Sequence, residues 1–471
     1  MFQGTGLNGL LAIDGQQNIY CVQGSQILKL AAHTKAPTGQ TNYQQLMVFG
    51  SPRLAGIGGL RPLILGSPSM FYGTTARGTD TNKSCLFSAR SDGSEQRVLH
   101  FLSAGDKTVS AGLVLGLDGA IYGMNSDHIF SLDERGFLDL TQFIPQGLVA
   151  LGSGWALGPG GTLFGTAGAG GAKNLGAVFR LNPDGSGSQV IHDFAGAPSD
   201  GWRPMCGLIL GTDGLFYGTT YWGGTNDAGT VFRIDTGGLG YQVLHSFDGA
   251  NGDYPENALT QGSDGELYGT ASGGGSGSFG VVFKLSTEGS GYEVIYRFPA
   301  DASHPQLYPS ALIQGSDGAL YGTTQYGGLT SAVYTNGMGT VFKLNTDGSG
   351  YTVLHNFSGE DGRQPQSALL AGTDGTLYGT TTYGGYFDQG TVFKLSASPT
   401  ESVASIDFYP TFTGLAITFS AAPAQTLALQ FSVDLGKTDA WHTVTTVETD
   451  AFGLAQIADS SGKGFYRAVR Q

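Results

Sequence analysis

The sequence predicts an all-β protein: an eight-bladed β-propeller, with seven blades as the alternative, followed by a small β-sandwich. Three observations carry this reading. A strand containing a Tyr-Gly or Phe-Gly pair recurs at a period of about fifty residues. Each copy sits among short apolar runs separated by tight-turn residues. Past Pro399 the repeat stops and a different alternating pattern takes over.

The copies run in order as "IYCV" at 19–22, "FYGTT" at 71–75, "IYGM" at 121–124, "LFGTA" at 163–167, "FYGTT" at 216–220, "LYGTA" at 267–271, "LYGTT" at 320–324 and "LYGTT" at 377–381. Seven are plain and the first is degenerate. In 258–298 the runs "ALTQG", "ELYGTA", "VVFKL" and "YEVIYRF" make four strands per unit. Asp264-Gly265, Asp317-Gly318 and Asp374-Gly375 supply the positive φ of a tight hairpin between the first two strands, and "DGSG" at 347–350 does so between the last two. A four-stranded unit of this size cannot stand alone, whereas radial repetition buries both faces of each sheet against its neighbours.

Eight units are expected because the runs at 10–13, 19–22, 27–30 and 46–49 fill four strand slots. The last copy ends near Ser398 without a fourth strand, so the chain ends are expected to share the closing blade. Residues 1–4 resemble the tail of such a strand, and 403–408 is a substitute for it. The propeller is thus assigned to 1–398. Beyond it, runs at 406–409, 415–419, 427–432, 441–447, 454–457 and 465–469 suggest a six-stranded sandwich over 399–471, with Trp441 in its core.

Composition excludes several classes. Charged residues are 13% of the chain and glycines number 79, a mix that disfavours helical bundles and coiled coils. The net charge of −14 has the wrong sign for binding nucleic acid through phosphates. No apolar run reaches the length of a membrane-spanning helix. Residues 1–4 lack the basic and apolar parts of a signal peptide, so secretion would rest on a leader absent from this chain. Cys21, Cys85 and Cys206 lie far apart without metal-ligand spacing and read as small buried hydrophobes. No GxSxG elbow, zinc motif, phosphate loop or dinucleotide fingerprint is present, so neither cofactor nor metal is expected.

The stretches "DGTLYGTTTYGG", "GTVFKL" and "YTVLHNF" resemble the Gloeobacter-Verrucomicrobia tandem repeat, called the GloVer repeat, over roughly residues 1 to 398. That resemblance implies a secreted or surface protein and no particular enzymatic activity. The runs "LQFSVDLGKTDAWHTV" and "GFYRAV" resemble a fibronectin-III-like accessory domain.

Features present in nearly every unit are explained first by packing. His100, His192, His245 and His355 share one slot of the fourth strand, with Tyr296 in the same slot of the sixth copy, which suits a contact between strands. The Asp-Gly pairs lack the further oxygens that calcium needs. Function is sought instead on the face carrying the long second-to-third and fourth-to-first connections. On the former, Arg77, Trp222, Tyr326 and Tyr383 follow the strand, with Ala169 and Gly273 in the same slot. The latter carry Arg61, Asp200, Trp202, Arg203, Asp253, Tyr254, Glu256, His304, Tyr308, Asp361 and Arg363. Aromatic faces beside hydrogen-bonding groups suit a sugar, which stacks through its C–H face and bonds at its edges; the plainer role for the same rings is to cover blade edges. From Arg77, Trp202, Arg203, Trp222, Tyr254, Tyr326 and Tyr383 a glycan or other surface polymer is the expected partner.

Two enzymatic alternatives draw on the same loops. In a uronate lyase Arg363 would neutralise the sugar carboxylate while Tyr308 or His304 moves the proton, with Glu256 alongside. A glycosidase would need two carboxylates from Asp227, Asp253, Glu256 and Asp361. The expected function is an extracellular recognition or scaffolding propeller. Protein–protein assembly is a third class, marked by an exposed apolar patch.

Overall fold

The repeated motif is explained by one strand register. In each Tyr-Gly strand the glycine lies opposite the phenylalanine of the next strand, as in Gly73–Phe87, Gly165–Phe179, Gly218–Phe232, Gly269–Phe283 and Gly322–Phe342. A Cβ on these glycines, or on Gly123 and Gly379, would lie 2.0–3.0 Å from the facing phenylalanine ring. Glycine is therefore required by close approach, and the phenylalanine fills the vacated space. The preceding tyrosine serves the turn: Tyr122, Tyr268 and Tyr321 donate to Asp118, Asp264 and Asp317 at 2.6, 2.6 and 2.8 Å. In the copy where Phe164 replaces tyrosine the Asp-Gly turn is also gone, and Pro159–Gly161 forms a 3₁₀ turn in its place.

The computed structural model describes residues 63–396, apart from 67–69, 76–84, 92–94, 102–111, 125–128, 152–153, 275–278, 300–306, 332, 373–374 and 386–387. Outside that range it describes strands only. The chain falls into two compact units, one comprising Leu46–Phe393 and the other Met1–Gln45 with Lys394–Gln471.

Seven blades are formed by the described residues, numbered here from the second sequence copy. Blades 1 to 6 are antiparallel sheets with strands in chain order; blade 4, for example, runs Ile209–Leu210, Phe216–Thr220, Thr230–Ile234 and Gln242–Ser246. A register shift beside the third-strand phenylalanine recurs in blades 1, 3, 4, 5 and 6 and increases the local twist. The core lies between blades. Phe164 and Val178 of blade 3 pack with Phe216 and Phe232 of blade 4, and the same arrangement is repeated at the following junctions. Phe71 and Phe87 of blade 1 join Tyr378 and Val392 of blade 7, so the ring closes there.

The expected eighth blade is not formed. Ala12–Ile13, Ile19–Gln23 and Gln26–Leu30 make a separate three-stranded sheet, while the fourth strand of that degenerate copy, Asn42–Val48, pairs with Thr391–Ser396 as the outer strand of blade 7. The last copy lacks its own fourth strand, which leaves an open sheet edge with unpaired backbone groups. The upstream strand satisfies that edge and closes a seven-membered ring. Residues 1–4 lie outside the described residues, and Ser405–Thr411, which takes in most of the other expected substitute, pairs with Gly414–Ser420 instead.

The six C-terminal strands lie where the sequence puts them. Ser405–Thr411, Gly414–Ser420 and Leu454–Asp459 form one three-stranded sheet, and His442–Glu448, Thr426–Ser432 and Phe465–Arg470 form another. Trp441 lies outside the described residues. No helix among the described residues is long and apolar enough to cross a membrane.

Candidate functional site

The threonines of the "GTT" motif tie each blade to the next. Thr166, Thr219, Thr270 and Thr323 donate to the carbonyls of Cys206, Pro255, Ser310 and Ser367, at 2.7, 3.2, 3.1 and 3.4 Å, each on the entry to the following blade. Just above them, in the connections into blades 4 to 7, the residue before the proline bridges two blades through its backbone. Arg203, Tyr254 and Gln364 donate N–H to the carbonyls of Leu175, Ala228 and Met338 in the preceding blade, at 2.8, 3.0 and 2.7 Å. The carbonyls of Arg203, Tyr254, Tyr308 and Gln364 accept from Tyr221, Ser272, Gln325 and Thr382 in the next blade. This double anchor fixes where the loop side chains stand.

Blades 4 to 6 use that frame to gather aromatic side chains. Trp202 and Trp222 pair across a short antiparallel bridge with their rings stacked at 5.7 Å and 17°. Tyr221 stacks on Tyr254 at 5.0 Å, and Trp222 meets Tyr254 edge-on at 4.7 Å. The Arg203 guanidinium lies 5.8 Å from the Tyr221 ring centroid. Tyr308 and Tyr326 make a second edge-on pair at 6.0 Å. These rings are half-buried, so each keeps surface open to a ligand.

Glu256 is the carboxylate of this cluster. Ser272 donates to its Oε1 at 2.9 Å. Burial pushes its pKa upward, opposed in part by Ser272 and by the Arg203 charge. Tyr221 and Tyr308 are also raised, first by burial and then by the Glu256 charge, which puts both phenols within its field. Asp253 lies apart: its Oδ1 is buried without a hydrogen-bond partner, beside Gly273, and burial raises its pKa.

Of the residues singled out in the sequence, the structure brings together Trp202, Arg203, Trp222, Tyr254, Glu256, Tyr308 and Tyr326. Arg363 stands elsewhere, in blade 7. It is 8% exposed, its Nη2 and Nε donate to Asp388 at 2.8 and 3.2 Å, and its guanidinium lies 4.5 Å from the ring centroids of both Tyr334 and Tyr383. Asp388 also accepts from Gly384 N–H, as Asp227 accepts from Gly223 N–H and Trp202 Nε1. Arg363 and Trp202 thus fill one repeated slot held by one repeated aspartate. Asp361 is buried against His355 and Ser358. Arg61, Arg77 and His304 lie outside the described residues.

Tyr221 and Ser272 were not among the sequence candidates. Their signal is their slot, directly after the repeated Thr-Thr or Thr-Ala pair, one residue before the position that drew notice. The fourth-strand histidines act between blades: His192 and His245 stack on Tyr241 and Tyr292 of the next blade at 3.5 Å, His100 stacks on Phe137 at 3.8 Å, and Tyr296 stacks on Tyr351 at 4.4 Å. Burial lowers the His245 pKa to about 4, which keeps that ring neutral. Cys85 and Cys206 are buried, their sulfurs against the hydroxyls of Thr75 and Thr219.

On the opposite face, a hollow of about 450 Å³ is lined by Asp264, Asp317, Asn345 and Asp347. Its carboxylates are engaged within the turns: Asp264 and Asp317 accept from Tyr268 and Tyr321, Lys343 pairs with Asp317, and Asp347 accepts from Ser349. That leaves the aromatic cluster as the better candidate. Among the described residues no group of three or more His, Cys, Asp or Glu is placed to hold a metal ion.

In fold, the chain is similar to the extracellular domain of a protein from B. thetaiotaomicron described as a hybrid two-component system, at 11% identity and TM-score 0.50, covering 98% of this chain and 61% of that one. A second such extracellular domain from the same organism matches at 10% identity and TM-score 0.49, with 98% and 62% covered. A fungal alcohol oxidase in complex with copper matches at 13% identity and TM-score 0.45, with 93% and 99% covered. This chain spans about three fifths of the two extracellular domains, and at these identities the likeness concerns fold alone. No curated protein matches the sequence. Residues 129–331 and 300–420, more than half of the chain together, match the Gloeobacter/Verrucomicrobia repeat, the same repeat whose Tyr-Gly and Val-Phe strands build the blades, and the chain belongs to that family.

Proposed function

We propose that this protein is an extracellular recognition or scaffolding propeller that binds a glycan on the long-loop face of blades 4 to 6, with the C-terminal strands serving as a fibronectin-III-like spacer or attachment module. One observation carries the reading: half-buried Trp202, Trp222, Tyr221 and Tyr254 gather beside the Glu256–Ser272 pair and Arg203. Stacked rings offer apolar faces to a sugar, and the adjacent carboxylate, phenols and guanidinium offer edges for its hydroxyls.

Affinity electrophoresis of the purified chain through gels containing single polysaccharides tests this directly. Retardation is expected, with Trp222→Ala weakening it by at least about tenfold, as the loss of one stacking ring implies. Unretarded migration in every polymer would sink the reading.

A hydrolase or lyase is the second reading, favoured by the burial that pushes the Glu256 pKa upward and by Tyr308, which stands within the field of the Glu256 charge. It predicts new reducing ends, or unsaturated uronate ends absorbing in the ultraviolet, when the same polymers are incubated with the protein.

A further inference from the structure

Four residues on the long-loop face stand in a backbone conformation that their side chains disfavour. Arg203, Tyr254, Tyr308 and Gln364 have φ of 56°, 54°, 45° and 55°. Each directly precedes a proline, a position normally driven to extended conformations. Glycine adopts positive φ freely, and large side chains do so at a cost. Elsewhere in these blades the chain does use glycine at positive φ, as at Gly214, Gly265 and Gly318 of the Asp-Gly turns. At the pre-proline slot it uses arginine, tyrosine, tyrosine and glutamine.

Ring contacts account for Tyr254 and Tyr308 in part and not for the row as a whole. The backbone is constant across the slot, because the hydrogen bonds to both flanking blades recur, while the side chain changes from blade to blade. Arg203 is exposed, and the ring nearest its guanidinium among the described residues, Tyr221, lies 5.8 Å away. A fixed, strained backbone with varied, partly exposed chemistry is what a reading position requires.

We infer that Arg203, Tyr254, Tyr308 and Gln364 form the specificity-determining row of this face, one residue per blade junction, and that they read a linear, uncharged, hydroxyl-rich polysaccharide. The inference rests on the glycan reading above and names its substrate class. Two stacking rings are flanked by two hydrogen-bonding side chains, and Ser272, whose N–H bonds the Tyr254 carbonyl, donates through its hydroxyl to Glu256, which sets a carboxylate in the same row as the Arg203 cation. Arg363, the other described cation of these connections, is committed to Asp388. The row therefore carries no surplus positive charge for a polyuronate.

The test replaces Arg203 and Gln364, each with glycine and with alanine, in the full chain. Alanine removes the side chain and keeps the strain, whereas glycine removes both. The glycine variant is expected to melt about 1 °C above the alanine variant at each position. All four variants are expected to lose at least tenfold in retardation by hydroxyethylcellulose, laminarin or galactomannan, whichever retards the parent chain, and polygalacturonate is expected to retard none of them. Glycine variants melting no higher than the alanine variants would overturn the strained-row argument. Variants retarded like the parent, or a parent retarded by polygalacturonate, would overturn the assigned role and class. A parent retarded by no polymer would overturn the glycan reading and the class with it, while the melting comparison still decides the strain.

Discussion

Removing the Arg363 side chain separates a structural from a ligand-facing role for a buried cation of the long loops. The guanidinium is held 4.5 Å from two ring centroids, and each cation–π contact in such a desolvated place contributes about 1 kcal/mol or somewhat more. The ion pair adds less, about 0.5–1 kcal/mol, because the Asp388 side chain is 59% exposed and water screens it. Burying the aliphatic stem adds about 1 kcal/mol. Arg363→Ala is therefore expected to cost about 3–4 kcal/mol, which for a unit of this size lowers Tm by roughly 4–6 °C. Arg363→Lys keeps the charge and loses the planar fork, so it should fall between. Thermal unfolding followed by circular dichroism reads both. An Arg363→Ala chain that melts with the parent while losing polymer binding would refute the structural assignment and return Arg363 to the ligand.

Three other outcomes follow from the same geometry. Gly218→Ala would set a Cβ 2.7 Å from both Phe232 and Leu208, so denaturant unfolding should show a loss of about 1–3 kcal/mol, against at most about 1 kcal/mol for Gly214→Ala, where φ is +80° and nothing lies within 4 Å. Glu256 has a folded pKa raised above its ordinary 4.5. Folding then binds protons as pH falls, so the penalty for its charge is present above the folded pKa and gone below about 4.5. Glu256→Gln should accordingly melt above the parent at pH 7 and with it at pH 4, and an unchanged difference between the two would count against burial as the cause. Deleting residues 1–48 removes the outer strand of blade 7, and the truncated chain should melt lower and aggregate through the freed edge of Thr391–Ser396; an equally stable monomer would contradict closure by Asn42–Val48.

The blades were legible in the sequence because their signals are local: Tyr-Gly opposite Val-Phe is a register rule, and Asp-Gly is a turn rule. Blade number was not, because it depends on which distant edge a strand completes. The run around Leu46 read as the last strand of its own copy, and nothing local to it marks it as the edge strand of another. The site was legible as a set of loop residues, since Trp202, Arg203, Trp222, Tyr254, Glu256 and Tyr308 all stood in connections. Their grouping was less so. Arg363 looked unrepeated until the structure put it in the slot of Trp202, and Tyr221 was hidden one residue from the slot inspected. The positive φ of the pre-proline residues leaves no trace in composition, because proline in sequence argues for the opposite conformation.

The central claim is that ligand meets the aromatic cluster of blades 4 to 6, and intrinsic fluorescence tests it most directly, since two of the chain's four tryptophans, Trp202 and Trp222, are in that cluster. Titration of a neutral polysaccharide into the full chain should give a saturable change in emission that is lost in the Trp202→Phe, Trp222→Phe double variant. A change of equal size in that variant, arising from Trp155 or Trp441, or binding with no change in the parent, would place the ligand elsewhere and contradict it.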